Sequence, residues 1–121
     1  MEKRILIADD SSVARLVVKR CAEVVGLDGE FEEAEDGQSA LLKAAGADII
    51  FIDLNMPKMH GRDVLRALRG SGNQVPIIVV SSAVNQSVSD DLLSLGATAV
   101  LRKPFSPASM SEVMERLEMS P

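Results

Sequence analysis

Five short apolar runs punctuate the chain: Arg4 to Ala8, Glu30 to Ala34, Asp48 to Asp53, Pro76 to Ser81 and Ala99 to Arg102. Most are rich in Ile and Val without polar alternation, the pattern of strands covered on both faces. Glu30 to Ala34 departs from it, and its acids suit the edge of a sheet. Between the runs the period changes. Ala14, Val17, Val18, Cys21 and Val25 fall on one helical face, as do Val88, Leu92 and Leu95, and Met110, Val113, Met114 and Leu117. These stripes are core contacts before anything else, and the Met residues are packing. Gly26 and Gly96 stand where a helix would stop, and Ser87 followed by Asp90 reads as an N-terminal cap of a helix beginning near Ser87. Five strands alternating with five helices predict an α/β domain with a parallel sheet and right-handed crossovers. Ligands of such sheets gather beyond the carboxyl ends of the strands.

A chain of 121 residues suits one domain over residues 1–121, and that size buries roughly two thirds of the unfolded surface in one core. With 46% apolar and 26% charged residues it is too apolar for a disordered tail. Net charge is −5, and the densest basic runs are Lys3-Arg4, Lys19-Arg20 and Arg102-Lys103. No face offers enough cations to neutralise many phosphates, which argues against direct nucleic-acid binding. The single Cys21 excludes an internal disulfide and a cysteine zinc site, and Met1 is followed by charge, not a signal-peptide core. No apolar stretch approaches the roughly 20 residues that span a bilayer. A reducing, cytoplasmic setting without membrane attachment is expected.

The strand ends carry the chemistry. The first strand runs into Asp9-Asp10, the third ends in Asp53, the fourth in Ser81, and the fifth is followed by Lys103. Three carboxylates held together repel one another unless a counter-charge is present, and a hard divalent cation with oxygen ligands is the usual remedy. Magnesium suits this role because it keeps several waters and needs few protein ligands. Each residue alone has a plainer reading. Asp9-Asp10-Ser11-Ser12 could cap a helix, Asp53 could open the turn before Pro57, Ser81 could end a strand, and Lys103 could be a solvated surface residue. Four such readings landing on one sheet edge are outweighed by one shared site.

The pieces Ile-Leu-Ile-Ala-Asp9-Asp10-Ser, Ile-Asp53-Leu-Asn-Met-Pro57-Lys-Met-His-Gly61, Pro-Ile-Ile-Val-Val-Ser81-Ser-Ala and Lys103-Pro104-Phe105 resemble the four signatures of the response-regulator receiver family, in the family's order and over nearly the whole chain. The resemblance implies a doubly wound, flavodoxin-like fold with strand order 2-1-3-4-5. It also implies that Asp53 accepts a phosphoryl group, that Asp10, Asp53 and the backbone carbonyl of Asn55 bind magnesium, and that Asp9 supports the metal through water. Lys103 would pair with the acceptor and then with the phosphoryl group, toward which Ser81 would turn its hydroxyl. The Lys103-Pro104 bond resembles one that is cis in the family. The implied donor is a phosphohistidine on a histidine kinase or histidine phosphotransfer protein. The receiver catalyses only its own modification, and a downstream protein target or a fused effector domain reads the result. Dimerisation on phosphorylation through the last two helices is compatible with the pattern, although few acids and bases there argue for it.

The sequence departs from the family at Val100, where many receivers carry an aromatic gate. Output is then expected through the segment from Ser81 into the following helix, or through the face of that helix, the last strand and the last helix. Asn55 and Ala83 flank the implied phosphate and should tune the lifetime of phospho-Asp53. His60, the one histidine, reads as a solvated loop residue without a role. An aspartyl-phosphate hydrolase would need Asp-x-Asp spacing after the first strand and a cap domain. A flavodoxin-like binder would need a less acidic loop than Asp9 to Val13, and the phosphate-loop motif is missing. A receiver-shaped binding module that takes no phosphate would have lost an acid or the lysine, and neither is lost.

Overall fold

The computed structural model describes residues 3–119. In chain order its elements are β1 (Lys3–Ala8), α1 (Ser12–Val24), β2 (Gly29–Ala34), α2 (Gly37–Lys43), a 3-10 turn (Ala44–Gly46), β3 (Ile49–Asp53), α3 (Gly61–Gly70), β4 (Ile77–Ser81), α4 (Gln86–Ser94), β5 (Ala99–Arg102) and α5 (Pro107–Met119). The strands form one parallel sheet in the order β2-β1-β3-β4-β5. The doubly wound, flavodoxin-like order implied by the family resemblance is therefore the observed one.

Alternate residues of each strand feed two cores. Leu6, Ile50, Ile52, Ile77 and Val79 meet Ala40 of α2, Val64, Leu65 and Leu68 of α3, and Leu92 of α4. Ile5, Ile7, Phe51, Ile78 and Val80 meet Val18, Cys21 and Ala22 of α1 and Met110 and Val113 of α5. Removing each of the Val, Leu, Ile, Phe and Met side chains from water contributes about 1.5–3 kcal/mol, so the central strands hold the sheet edge that carries the polar residues. β2 lies at the edge with Glu30 and Glu33 exposed, in agreement with the sequence reading.

Several local expectations are corrected. Asp48 lies just before β3, where its carboxylate accepts the Arg4 N–H at 2.8 Å, and Pro76 lies just before β4, where its carbonyl accepts the Ile50 N–H at 2.9 Å. Val17 does not join the core stripe of α1. It is 44% exposed, and Ala22 takes the inward position. Ser87 is not the cap of α4: Asn85 caps it, accepting the Val88 N–H at 2.9 Å, and the helix begins one residue earlier than Ser87. Asn85 has the extended backbone that a cap requires, and its side-chain oxygen reaches the third amide, whereas Ser87 already lies within the helix. The glycine stops hold, with Gly26 at φ +85° and Gly96 at φ +109°.

Candidate functional site

Strand register assembles the polar edge. Ala8 lies beside Ile52, Asp53 beside Val80 and Ser81 beside Arg102, so the residues that end or follow β1, β3, β4 and β5 fall along one line. The Asp9 N–H donates to the Ala34 carbonyl at 3.0 Å and the Lys103 N–H to the Ser81 carbonyl at 2.9 Å, which extends the sheet's bonding by one residue. The Lys103-Pro104 bond is cis, as the resemblance implied.

Ligand oxygens of Asp9, Asp10 and Asp53 all lie within 4.8 Å of one another. Asp9 and Asp53 are buried, whereas Asp10 is exposed. Lys103 Nζ stands 2.8 Å from Asp9 Oδ2 and 3.4 Å from Asp53 Oδ1. The ammonium therefore bridges two carboxylates and lies closer to Asp9 than to Asp53. Burial chiefly, with the Asp9 charge adding to it, holds the Asp53 carboxyl above the ordinary range, against the pull of Lys103 and the Asn55 amide. Burial also works against the Lys103 charge, but the hydrogen bond to Asp9 and the fields of both carboxylates outweigh it and hold the ammonium above its usual range. Asp9 Oδ1 accepts the Ser11 N–H at 2.9 Å, and Ser11 caps α1 by accepting the Ala14 N–H. The capping reading of Asp9-Asp10-Ser11-Ser12 and the cluster reading are thus both met, by different residues.

Ser81 is 1% exposed, and its Oγ accepts the Ala83 N–H at 3.2 Å. Asn55 is exposed and sits in a tight turn closed by the Met56 N–H on the Leu54 carbonyl. Val100 is partly buried against the core beneath α4. His60 has a structural task that sequence reasoning missed: its Nδ1 accepts the Arg62 N–H at 3.1 Å and caps α3. Histidine is outside the usual capping set, so only its place before Gly61 and the helix could have signalled this.

Three carboxylates against one ammonium leave two negative charges uncompensated, and every donor is oxygen. That set fits one hard divalent cation such as magnesium.

The family model described as response regulator receiver domain matches residues 5–115. The chain belongs to the response regulator receiver family. A chemotaxis protein of Vibrio cholerae, CheY-3, is 30% identical to this receiver over 118 residues, 94% of this chain and 90% of that protein. A protein-glutamate methylesterase/protein-glutamine glutaminase of Nocardioides sp. is 34% identical over 94% of the receiver, which spans 32% of that protein's length. Among solved structures, the chemotaxis response regulator CheY4 of Vibrio cholerae is 30% identical, with a TM-score of 0.82 over 97% of the receiver and 99% of that chain. The receiver has no helix among its described residues that is long and apolar enough to cross a membrane.

Proposed function

We propose that this chain is a single magnesium-dependent receiver domain over residues 1–121 in which Asp53 takes a phosphoryl group from a phosphohistidine, and that the modified state changes a protein-binding surface. The observation that carries the reading is the cluster of Asp9, Asp10 and Asp53 bridged by Lys103 at the carboxyl edge of the sheet. Asp10, Asp53 and the Asn55 carbonyl would hold magnesium directly, with Asp9 acting through water. The metal would supply neutralising charge to the phosphoryl oxygens. Phosphoryl transfer passes through a loose transition state, so positioning and charge stabilisation are most of what a protein adds. An Asp53 oxygen forms the new bond to phosphorus as the bond to the donor imidazole breaks, and the freed imidazole takes a proton from solvent. Lys103 follows the charge from the carboxylate to the phosphoryl oxygens.

The donor, a histidine kinase or histidine phosphotransfer protein, must rest on the rim beside Asp53. That rim includes an apolar hollow of about 290 Å³ lined by Ala14, Val17, Ser82, Lys103, Pro104 and Phe105, with Val13 and Leu16 exposed nearby on α1. The output partner is a downstream protein or a fused effector domain.

The switch follows from the hydrogen bond between Ser81 and Ala83. If Ser81 turns its hydroxyl to a phosphoryl oxygen, it releases the Ala83 N–H as a second donor, and the segment leading to Asn85 and α4 moves with it. Shifting a two-state domain almost fully requires about 5.5 kcal/mol of differential stabilisation, and one charge-assisted hydrogen bond supplies about 1.5–3. Ser81, the Ala83 amide, Lys103 and the metal must share the task, and partner binding completes it. Ser81→Ala is accordingly expected to weaken binding of the phosphoryl mimic beryllofluoride by about tenfold without abolishing it. Amide spectra with magnesium and beryllofluoride test both statements. Shifts at Ser82, Ala83 and α4 that require both additives support the reading. A spectrum that ignores them, or a Ser81→Ala variant that responds as the wild type does, contradicts it.

A further inference from the structure

Among the described residues four polar side chains are buried: Asp9, Asp53, Ser81 and Asp36. The first three belong to the site, but Asp36 does not. It follows β2, and its Oδ1 caps α2 by accepting the Ser39 N–H at 2.7 Å. Its other oxygen, Oδ2, faces Lys58 Nζ at 3.6 Å. Lys58 is the one non-glycine residue with positive φ (+68°) among the described residues. The Met59 N–H donates to the Pro57 carbonyl at 2.8 Å, closing a three-residue turn about Lys58. Turns of this kind with positive φ at the centre are rare and strained, and a long side chain has no local hydrogen bond to offset the left-handed conformation. Such strain persists only where the surroundings impose it, and it concentrates at functional sites.

The surroundings here are the start of α2. The Gly37 N–H donates to the Pro57 carbonyl at 3.3 Å, and a Cβ on Gly37 would lie 2.0 Å from the Met59 carbonyl oxygen. The strained turn is thus pressed against Asp36 and Gly37. Just before it, within the same loop between β3 and α3, comes the tight turn that contains Asn55.

We propose that Lys58 is a positioning residue for the metal. Paired with Asp36, it holds the turn at 57–59 in its strained form and so fixes the direction of the Asn55 carbonyl, though neither Lys58 nor Asp36 touches the ion. This rests on the magnesium reading above. The sign of the effect separates positioning from simple charge. Lys58 is a cation on the loop that follows Asp53, so through its field alone its removal would leave magnesium binding unchanged or tighten it; through the brace, removal weakens it.

Calorimetric titration of the chain with magnesium at about 0.1 M salt provides the test. Lys58→Asn keeps a residue that tolerates positive φ and removes the cation together with most of its stem. Asp36→Asn keeps a cap of equal quality. Lys58→Asn is expected to weaken magnesium binding about two- to fivefold, the scale of an exposed ion pair. Lys58→Arg should restore it, and Lys58→Asn should add nothing in the Asp36→Asn background. Unchanged or tighter binding in Lys58→Asn overturns the inference while leaving the metal site standing. A folded wild type that takes up no magnesium overturns the metal reading and this inference with it.

Discussion

Lys103→Met is expected to lose about 2 kcal/mol of stability at neutral pH in the absence of magnesium. The ammonium is the one cation bridging Asp9 and Asp53, and removing one partner of a buried pair costs about 3–5 kcal/mol because the remaining charge stays buried. The Lys103 side chain is 25% exposed, so solvent screening lowers that figure. The pH dependence has a definite sign. A lysine held above its usual range contributes stability that is complete below the unfolded value and is lost as pH rises through the folded one. The wild type should therefore keep this contribution at pH 7 and lose it only in strong alkali. The Asp53 carboxyl is already raised by burial and by Asp9, so a folded protein without Lys103 gains stability as pH falls through the raised Asp53 value. Urea midpoints at pH 7 and pH 5 measure the effect. The deficit should shrink at the lower pH, and millimolar magnesium should recover part of it at pH 7 by binding the folded state alone. Equal midpoints for variant and wild type at pH 7 would show that the two carboxylates do not depend on this lysine.

Gly61→Ala should produce a comparable loss for a steric reason. A Cβ at Gly61 would lie 2.5 Å from the Asp53 carbonyl oxygen and 2.9 Å from Leu54 Cα. Both are backbone atoms, so no flexible side chain can yield and the start of the loop must move. A cost of about 2–3 kcal/mol is expected, together with a phosphorylation rate lowered by more than tenfold, because Asp53 itself is displaced. Gly70→Ala supplies the contrast within the same helix. Nothing lies within 4 Å of a Cβ there, so that variant should gain a few tenths to about 1 kcal/mol from helix propensity. A Gly61→Ala variant as stable and as readily phosphorylated as the wild type would contradict the close packing of the start of α3 on the end of β3.

What could be seen in the sequence depended on how local the signal was. β5 spans the residues its pattern predicted, Ala99–Arg102, and the other strands differ by a residue at most; for β3 and β4 the reason is that near-continuous Ile and Val are satisfied inside a sheet covered on both faces. The edge position of β2 was legible from its acids. Strand order was not: it entered through the resemblance, since alternation of elements fixes no neighbours. Helix faces were legible only in part. Val17 and Ala22 exchange expected roles because the apolar stripe of α1 is wider than the surface it covers. α2 and α3 gave no stripe that was singled out, and α2 packs with Ala40 in place of a large side chain.

At the site, the carboxylates and Lys103 were legible because each ends or follows a strand, and the register then brings Asp9, Asp10 and Asp53 together. The preference of Lys103 for Asp9 was not, since a difference of 0.6 Å between the 2.8 Å and 3.4 Å contacts has no sequence signature. The Ser81 bond to Ala83, the His60 cap and the Asp36 to Lys58 pair depend on backbone turns that residue type alone does not specify.

The most direct test of the central claim is intact mass after incubation with magnesium and a small phosphodonor such as acetyl phosphate, comparing the wild type with Asp53→Asn. One added phosphoryl group, labile to base, seen in the wild type alone and abolished by chelation, is the predicted result. No added mass in the wild type, from acetyl phosphate and from a phosphohistidine donor alike, would contradict it and leave a receiver fold that binds partners without taking phosphate.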